Sequence, residues 1–287
     1  MITDPALLST ALACQKNEIT EYRIYTRLAI LCPNERNAEI PRSVGHDEYE
    51  HSLFWESHTG QKISPDAGKV FRTVALARVL GLTFVLKRME KNEGIAAQKY
   101  QTLIEAYPDI ETISADEDAH EQALLGCLDE EVLRYVGSVV LGLNDALVEL
   151  TGALAGFTLA LGDTKTISIA GLVTGVSAAF SMAASAYLSA KADGNPKAAT
   201  SSFYTGTAYF ITVVLLILPF LCLSNKFIAL AITLTIAVCI IFLFNYYLSV
   251  TKDMDFKKRC AEMAAISFGV AALSFGIGWL MSRLLGV

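Results

Sequence analysis

The chain has 287 residues, of which 53% are hydrophobic and 18% charged, and its formal net charge is −6. Residues 1–135 hold 22 of the 29 acidic residues, 14 of the 23 basic residues and all four histidines. This uneven composition predicts two domains, 1–133 and 134–287, and excludes a single uniform soluble domain. No nucleic-acid partner is expected for so acidic a chain.

The N-terminal segment and the cysteines both indicate a cytosolic first domain. The start, MITDPALLSTA, lacks the basic region, apolar core and cleavage site of a secretory signal, so we expect this domain to stay where it is made. The six cysteines include no C-x-x-C pair. We interpret them as packing residues in a reducing compartment, which argues against a rubredoxin-type or zinc-ribbon centre.

Four helices are predicted before residue 134. Their expected ranges are about Leu7–Leu31, Glu35–His58, Ser64 toward Pro108, and from Ser114 onward. In Ser64-Pro65-Asp66 the serine is the expected N-cap and the proline the first helical residue, while Gly60 follows the end of the second helix. Pro41 predicts a kink or a late start in that helix. Short connections favour an antiparallel, all-α bundle.

Each predicted helix carries two metal-ligand residue types three positions apart, which places them on one face. In chain order the pairs are Glu18 with Glu21, Glu48 with His51, Glu90 with Glu93, and Glu117 with His120. Any one pair has a simpler explanation: Glu117 could complete a capping box with Ser114, and the carboxylate pairs could be solvated faces. Two carboxylate helices and two Glu-x-x-His helices together are typical of a di-metal centre in a bundle.

The segments NEITEYRIY, DEYEHSLFW, MEKNEG and DEDAHEQ, within residues 6–131, resemble the ferritin-like, rubrerythrin-type di-iron proteins. The resemblance implies two iron ions, with Mn²⁺ as an alternative, and a set of ligands. The implied ligands are Glu18, Glu48, His51, Glu90, Glu93, Glu117 and His120. Glu48 and Glu117 would bridge the ions, Glu21 is a weaker candidate, and Tyr25 would lie nearby. Without a C-x-x-C iron domain, the electron-relay role of full rubrerythrins is not expected.

Five apolar stretches follow, each near or above the roughly 20 residues that a helix needs to cross a bilayer. They are Val136–Leu161, Thr166–Leu188, Thr205–Leu223, Phe227–Val250 and Ala261–Met281. The alternative, buried helices of a large soluble protein, would need a core larger than this chain can cover. Of the flanking basic residues, seven fall on one side and three on the other. This asymmetry predicts a cytoplasmic N-terminal domain and an outside C-terminus.

Two of the predicted spans contain candidate functional residues. Asp145 and Glu149 lie four residues apart in the first span, and Met182 lies among small residues in the second. An ionisable group inside a span is costly and indicates function, although the acids could lie near the interface and Met182 could be a packing residue. Both spans also contain Gly-x-x-x-Gly, which permits close helix approach.

The segments GLNDALVELTGALAG and SMAASAYLSAK resemble the signature segments of the vacuolar iron transporter family, over residues 134 to about 285. The resemblance implies five-span transport of Fe²⁺ or Mn²⁺, with Asp145 and Met182 lining a pathway at a homodimer interface. Glu149 would be a further ligand or a proton carrier. The glutamate-rich segment of some members is replaced by KADGNPKAATSS, and the acidic bundle could take over its metal-collecting role.

The fused layout resembles the membrane-bound ferritin group. Together the resemblances imply a transporter in the cell inner membrane that exports Fe²⁺ or Mn²⁺ by proton antiport. Its cytoplasmic di-iron domain would capture, oxidise or sense iron. A carboxylate with a thioether suits such metals better than Mg²⁺ or Ca²⁺. The alternative is a membrane-anchored ferroxidase or peroxide-scavenging di-iron enzyme.

Overall fold

The computed structural model describes residues 2, 4–32, 35–89, 113, 120, 124, 130–252 and 254–285. All regular secondary structure within these ranges is helical. The chain divides into two compact units, Met1–Asp129 and Glu130–Val287.

The first unit contains helices α1 (Pro5–Ala29), α2 (Glu35–Thr59) and α3 (Ala67–Leu80), and residues 82–89 are helical too. Helix α1 packs along α2 and also contacts α3. Most of the fourth predicted helix, and the stretch of the third beyond residue 89, lie outside the described residues. The ferritin-like four-helix bundle therefore stays a prediction.

Capping residues decide where two of these helices begin. The Asp4 carboxylate accepts hydrogen bonds from the N–H groups of Ala6 and Leu7, so α1 starts earlier than predicted. Helix α3 is capped by Asp66, which accepts from the Lys69 N–H at 2.9 Å. The prediction that Ser64 caps this helix is wrong. Asp66, which follows the proline, accepts the hydrogen bond from the backbone N–H of the first helical turn instead.

Two predictions about helix continuity also need correction. Helix α3 ends at Leu80 because Gly81 adopts a φ of 89°, a conformation that favours glycine and interrupts the expected continuous helix. Helix α2 begins at Glu35 and runs through Pro41, so the late start is wrong, while the kink stays a prediction. Proline has no N–H for the carbonyl of Asn37, and the Cys32 thiol donates to that oxygen at 3.5 Å.

The second unit consists of α4 (Glu130–Ala160), α5 (Thr164–Ala192), α6 (Ala198–Cys222), α7 (Lys226–Thr251) and α8 (Phe256–Leu285). Helix α4 contacts each of the other four. A buried apolar core joins α4 to its neighbours through residues such as Leu147, Val213 and Ile241. Helix α4, which carries Asp145 and Glu149, is therefore the most central helix of this unit.

All five helices of the second unit are long and apolar enough to cross a membrane, which confirms the predicted spans at the level of length and composition. Large apolar side chains point outward; Phe180 on α5 is 74% exposed and Leu273 on α8 is 70% exposed. Such an outer surface suits a hydrocarbon environment, because water would penalise this much exposed apolar area.

The Gly-x-x-x-Gly segment of α4 allows the close approach that the sequence predicts. A Cβ atom added at Gly278 of α8 would lie 2.5 Å from the carbonyl oxygen of Gly156. The two helices therefore touch backbone to backbone at this point, and a side chain larger than hydrogen has no room.

Candidate functional site

In the first unit, helices α1 and α2 bring three of the predicted ligands together. Glu18 of α1 and Glu48 and His51 of α2 are all buried, with exposures of 1%, 0% and 6%. The His51 Nδ1 atom lies 3.9 Å from Glu18 Oε2 and 3.9 Å from Glu48 Oε2. One ligand atom from each residue can be chosen so that all three lie within 4.8 Å of one another.

His120 lies at the same cluster. Its Nδ1 atom is 3.6 Å from Glu48 Oε1, and its ring centroid is 5.8 Å from that of His51. On its other side, His120 Nε2 lies 3.1 Å from Asp47 Oδ2. Sequence reasoning missed Asp47, although its adjacency to Glu48 and its spacing of four from His51 were visible signals. A carboxylate on the second imidazole nitrogen fixes the ring orientation of a histidine ligand.

Two pairs of atoms in this cluster have distances that suit a small transition-metal ion. Two N or O ligands at about 2.1 Å from one ion lie at most about 4.2 Å apart, and the 3.9 Å pairs satisfy this limit. Carboxylate and imidazole donors together suit Fe²⁺, Mn²⁺ or Zn²⁺. This is a possible carboxylate–histidine metal site.

The remaining predicted ligands of the first unit fall into two groups. Glu90, Glu93 and Glu117 lie outside the described residues. Glu21, the weaker candidate, points instead to Lys69, whose Nζ atom is 3.0 Å from Glu21 Oε1. The same ammonium donates to Asn17 Oδ1 at 2.7 Å, so Glu21 belongs to a structural ion pair between α1 and α3.

In the second unit, Asp145 and Glu149 lie one turn apart on α4, and both side chains are exposed rather than turned into the core. The Tyr209 hydroxyl of α6 donates a hydrogen bond to Glu149 Oε2 at 2.7 Å. Tyr209 itself is fully buried within the apolar core. Sequence reasoning missed it; a tyrosine in mid-span was the available signal, but nothing in the sequence identified its partner.

Met182 of α5 is half-buried and packs against the apolar core of the second unit. This position agrees with the packing alternative, although the residue is partly exposed. The carboxylate pair is therefore the more distinctive polar feature of this unit.

Residues 136–200, which span α4 and α5, match the VIT family, the vacuolar iron transporters. No curated protein matches the chain. The match covers the segment that carries Asp145, Glu149 and Met182, but less than half of the whole chain. Together with five span-length apolar helices, it indicates an integral membrane protein that transports metal ions.

Proposed function

We propose that the protein exports Fe²⁺ or Mn²⁺ from the cytosol in exchange for protons, as a homodimer in the cell inner membrane. The first unit, on the cytoplasmic side, would hold a di-iron centre that captures, oxidises or senses iron. The observation that carries the proposal is the pair of exposed carboxylates, Asp145 and Glu149, on the apolar helix α4.

A carboxylate on the outer surface of a membrane helix is expensive if it faces lipid, at about 2.5–3.5 kcal/mol or more near the bilayer centre. This free-energy cost is smaller if the helix face that carries the carboxylate borders water, a cation or another protein surface. The exposure of both Asp145 and Glu149 therefore supports a water-accessible pathway at this face. A second copy of the chain, related by twofold symmetry, would close that pathway from the lipid.

The donor types of the proposed pathway would discriminate between metals. A carboxylate oxygen is a hard donor and the Met182 thioether a soft one, and a borderline transition-metal ion such as Fe²⁺ accepts both kinds. Mg²⁺ and Ca²⁺ prefer oxygen ligands alone. The same carboxylates would also couple transport to protons, since protons and metal ions compete for the same oxygens and protonation on the outer side would release the metal.

The di-iron proposal for the first unit is supported by Glu18, Glu48 and His51, which lie within 4.8 Å of one another, and by His120, whose Nδ1 atom is 3.6 Å from Glu48 Oε1. When bound, iron would supply redox chemistry. The protein would hold it with these side chains and keep the site inside α1 and α2, away from bulk water. Asp47 would keep the His120 ring turned toward Glu48.

The decisive experiment measures Mn²⁺ and Fe²⁺ flux into liposomes that contain the purified full-length chain and an enclosed metal-sensitive dye. Asp145→Asn is expected to reduce flux to that of protein-free liposomes, because it removes the charge without changing the side-chain size. Asp163→Asn is the matched control, since Asp163 is an exposed cap before α5 and its replacement can still accept the Thr166 N–H. If Asp145→Asn transports like the parent, the pathway assignment is wrong.

The alternative function, a membrane-anchored ferroxidase or peroxide-scavenging enzyme, is favoured by the buried cluster around Glu48. Oxygen consumption on addition of Fe²⁺ to the full-length chain, measured together with metal flux, separates the possibilities. An enzyme should lose this activity in Glu48→Gln and keep it in Asp145→Asn. The proposed transporter should show metal flux in the parent, whether its first unit consumes oxygen or only captures or senses iron, whereas the anchored enzyme should show no flux.

A further inference from the structure

We propose that Tyr209 is the positioning residue for the cargo site: it holds one oxygen of Glu149 and thereby makes that carboxylate a one-oxygen ligand. The inference rests on the proposed function, because it takes Asp145 and Glu149 as ligands of a transported cation. It adds a residue from α6, outside the matched segment 136–200, and a physical basis for selection between metals.

The geometry of Tyr209 suits such a role. Its side chain is 0% exposed and belongs to the apolar core, so the ring is held on all sides by packing. Only the hydroxyl reaches a charged group, Glu149 Oε2, at 2.7 Å. An O–H donor to a carboxylate at this distance is a strong, charge-assisted hydrogen bond. A rigid aromatic side chain loses little further entropy in maintaining it, since few of its torsions are free.

Because of this hydrogen bond, the two carboxylate oxygens of Glu149 differ in what they can bind. Oε2 is engaged by the hydroxyl, while the side chain as a whole stays exposed on the face that carries Asp145. Oε1 is then the oxygen that coordinates the transported cation.

A one-oxygen carboxylate ligand disfavours large cations. Ca²⁺ takes six to eight oxygen ligands and often uses both oxygens of one carboxylate, whereas the smaller Fe²⁺ and Mn²⁺ reach their coordination with fewer. Removing the Tyr209 hydroxyl would free Glu149 to rotate and bind with both oxygens. The site would then hold its preferred metal less well and accept Ca²⁺ better.

The test compares Mn²⁺ transport by the parent, Tyr209→Phe, Glu149→Gln and the double variant in liposomes. Tyr209→Phe is expected to raise the KM for Mn²⁺ by about tenfold, with a smaller effect on the maximal rate, and to increase inhibition by Ca²⁺. In the double variant, the phenylalanine should add nothing to the effect of Glu149→Gln, because Tyr209 acts through that carboxylate.

Tyr204→Phe is the matched control, as it removes a hydroxyl from the same helix at a ring that stacks on Tyr135 with centroids 4.9 Å apart. It should behave like the parent. An unchanged KM and unchanged Ca²⁺ inhibition in Tyr209→Phe, or additive effects in the double variant, would overturn the proposal. Absence of flux in the parent would instead reject the proposed function.

An infrared measurement on the parent chain keeps the proposal testable if Tyr209→Phe does not fold. The carboxylate stretching bands that change when Mn²⁺ binds, and that disappear in Glu149→Gln, report how Glu149 binds the metal. A one-oxygen signature is expected. A two-oxygen signature in the parent would contradict the role of Tyr209.

Discussion

The two units place their carboxylates in opposite ways. In the first unit Glu18 and Glu48 are inside, at 1% and 0% exposure, next to two histidines. In the second unit the inside is apolar, and Asp145 and Glu149 are on the outer face of the central helix. Burial slows exchange with water, whereas exposure permits it. The first arrangement suits an ion that stays, and the second suits an ion that passes.

The difference also shows how each unit is stabilised. The first unit joins its helices partly through polar contacts, such as the Lys69–Glu21 ion pair and the hydrogen bond from Thr59 Oγ1 to Gln15 Oε1 at 2.8 Å. The second unit relies on apolar packing and close backbone approach, as at Gly156 and Gly278. Its polar interhelical contacts include the Thr233 hydroxyl of α7 donating to the Leu216 carbonyl of α6 at 2.9 Å.

Removing Glu48 should have the largest effect on the buried cluster. In an Asp145→Asn background, Glu48→Gln is expected to weaken Mn²⁺ binding by the full-length chain at least about 100-fold, because Glu48 lies between both histidines. Calorimetry measures the affinity and the number of ions bound. Glu50→Gln, an exposed neighbour on α2, should leave both unchanged. If Glu48→Gln still binds Mn²⁺ tightly, the buried cluster of the first unit does not hold a resident ion.

Removing Asp47 should have a smaller effect on the same site. Asp47→Ala leaves the ligands in place but frees the His120 ring, so we expect Mn²⁺ affinity to fall by about tenfold. Competition against a coloured chelator measures the change, with Glu50→Ala as the control. An affinity equal to that of the parent would show that His120 needs no partner, or that it is not a ligand.

Two glycines of α8 test the packing of the second unit. Gly278→Ala is expected to lower the free energy of unfolding by about 1–3 kcal/mol, because its Cβ would lie 2.5 Å from the Gly156 oxygen. Gly276→Ala is the matched control, since a Cβ there meets nothing within 4 Å in the described part of the chain. Unfolding in detergent measures both. Equal stability of the two variants would mean that α4 and α8 are not in close contact.

The smallest expected effect concerns the cap of α3. The Lys69 N–H that bonds to Asp66 lowers the pKa of this carboxyl below its ordinary value of 3.8. A lowered pKa contributes stability above the ordinary value, and that contribution is lost as the pH falls through the folded-state pKa. Asp66→Ala should therefore lower the melting temperature by on the order of a few degrees at neutral pH, and by less below about pH 4.

Ser64→Ala is the control for this substitution, because Ser64 is the cap that the sequence predicts and the structure does not use. Thermal melts of the full-length chain between pH 7 and pH 3 compare the two variants. A larger effect of Ser64→Ala would restore the sequence-based assignment.

Local patterns in the sequence predicted the elements well where a single helix decided the outcome. The five spans follow from uninterrupted apolar length, and Glu48 with His51 share a face because they lie three residues apart on α2. The choice between Ser64 and Asp66 as a cap failed, since both residue types cap helices and only the backbone path selects one.

The sequence by itself determined the helical character, the apolar spans and which residues carry metal-binding groups, because these depend on composition and on spacing within one helix. Only the tertiary structure decided the partners across helices: Asp47 with His120, Lys69 with Glu21, and Tyr209 with Glu149. It also decided that the carboxylates of α4 face outward while those of α1 and α2 face inward. Such pairings depend on how helices rotate and pack against one another, which spacing along one chain does not fix.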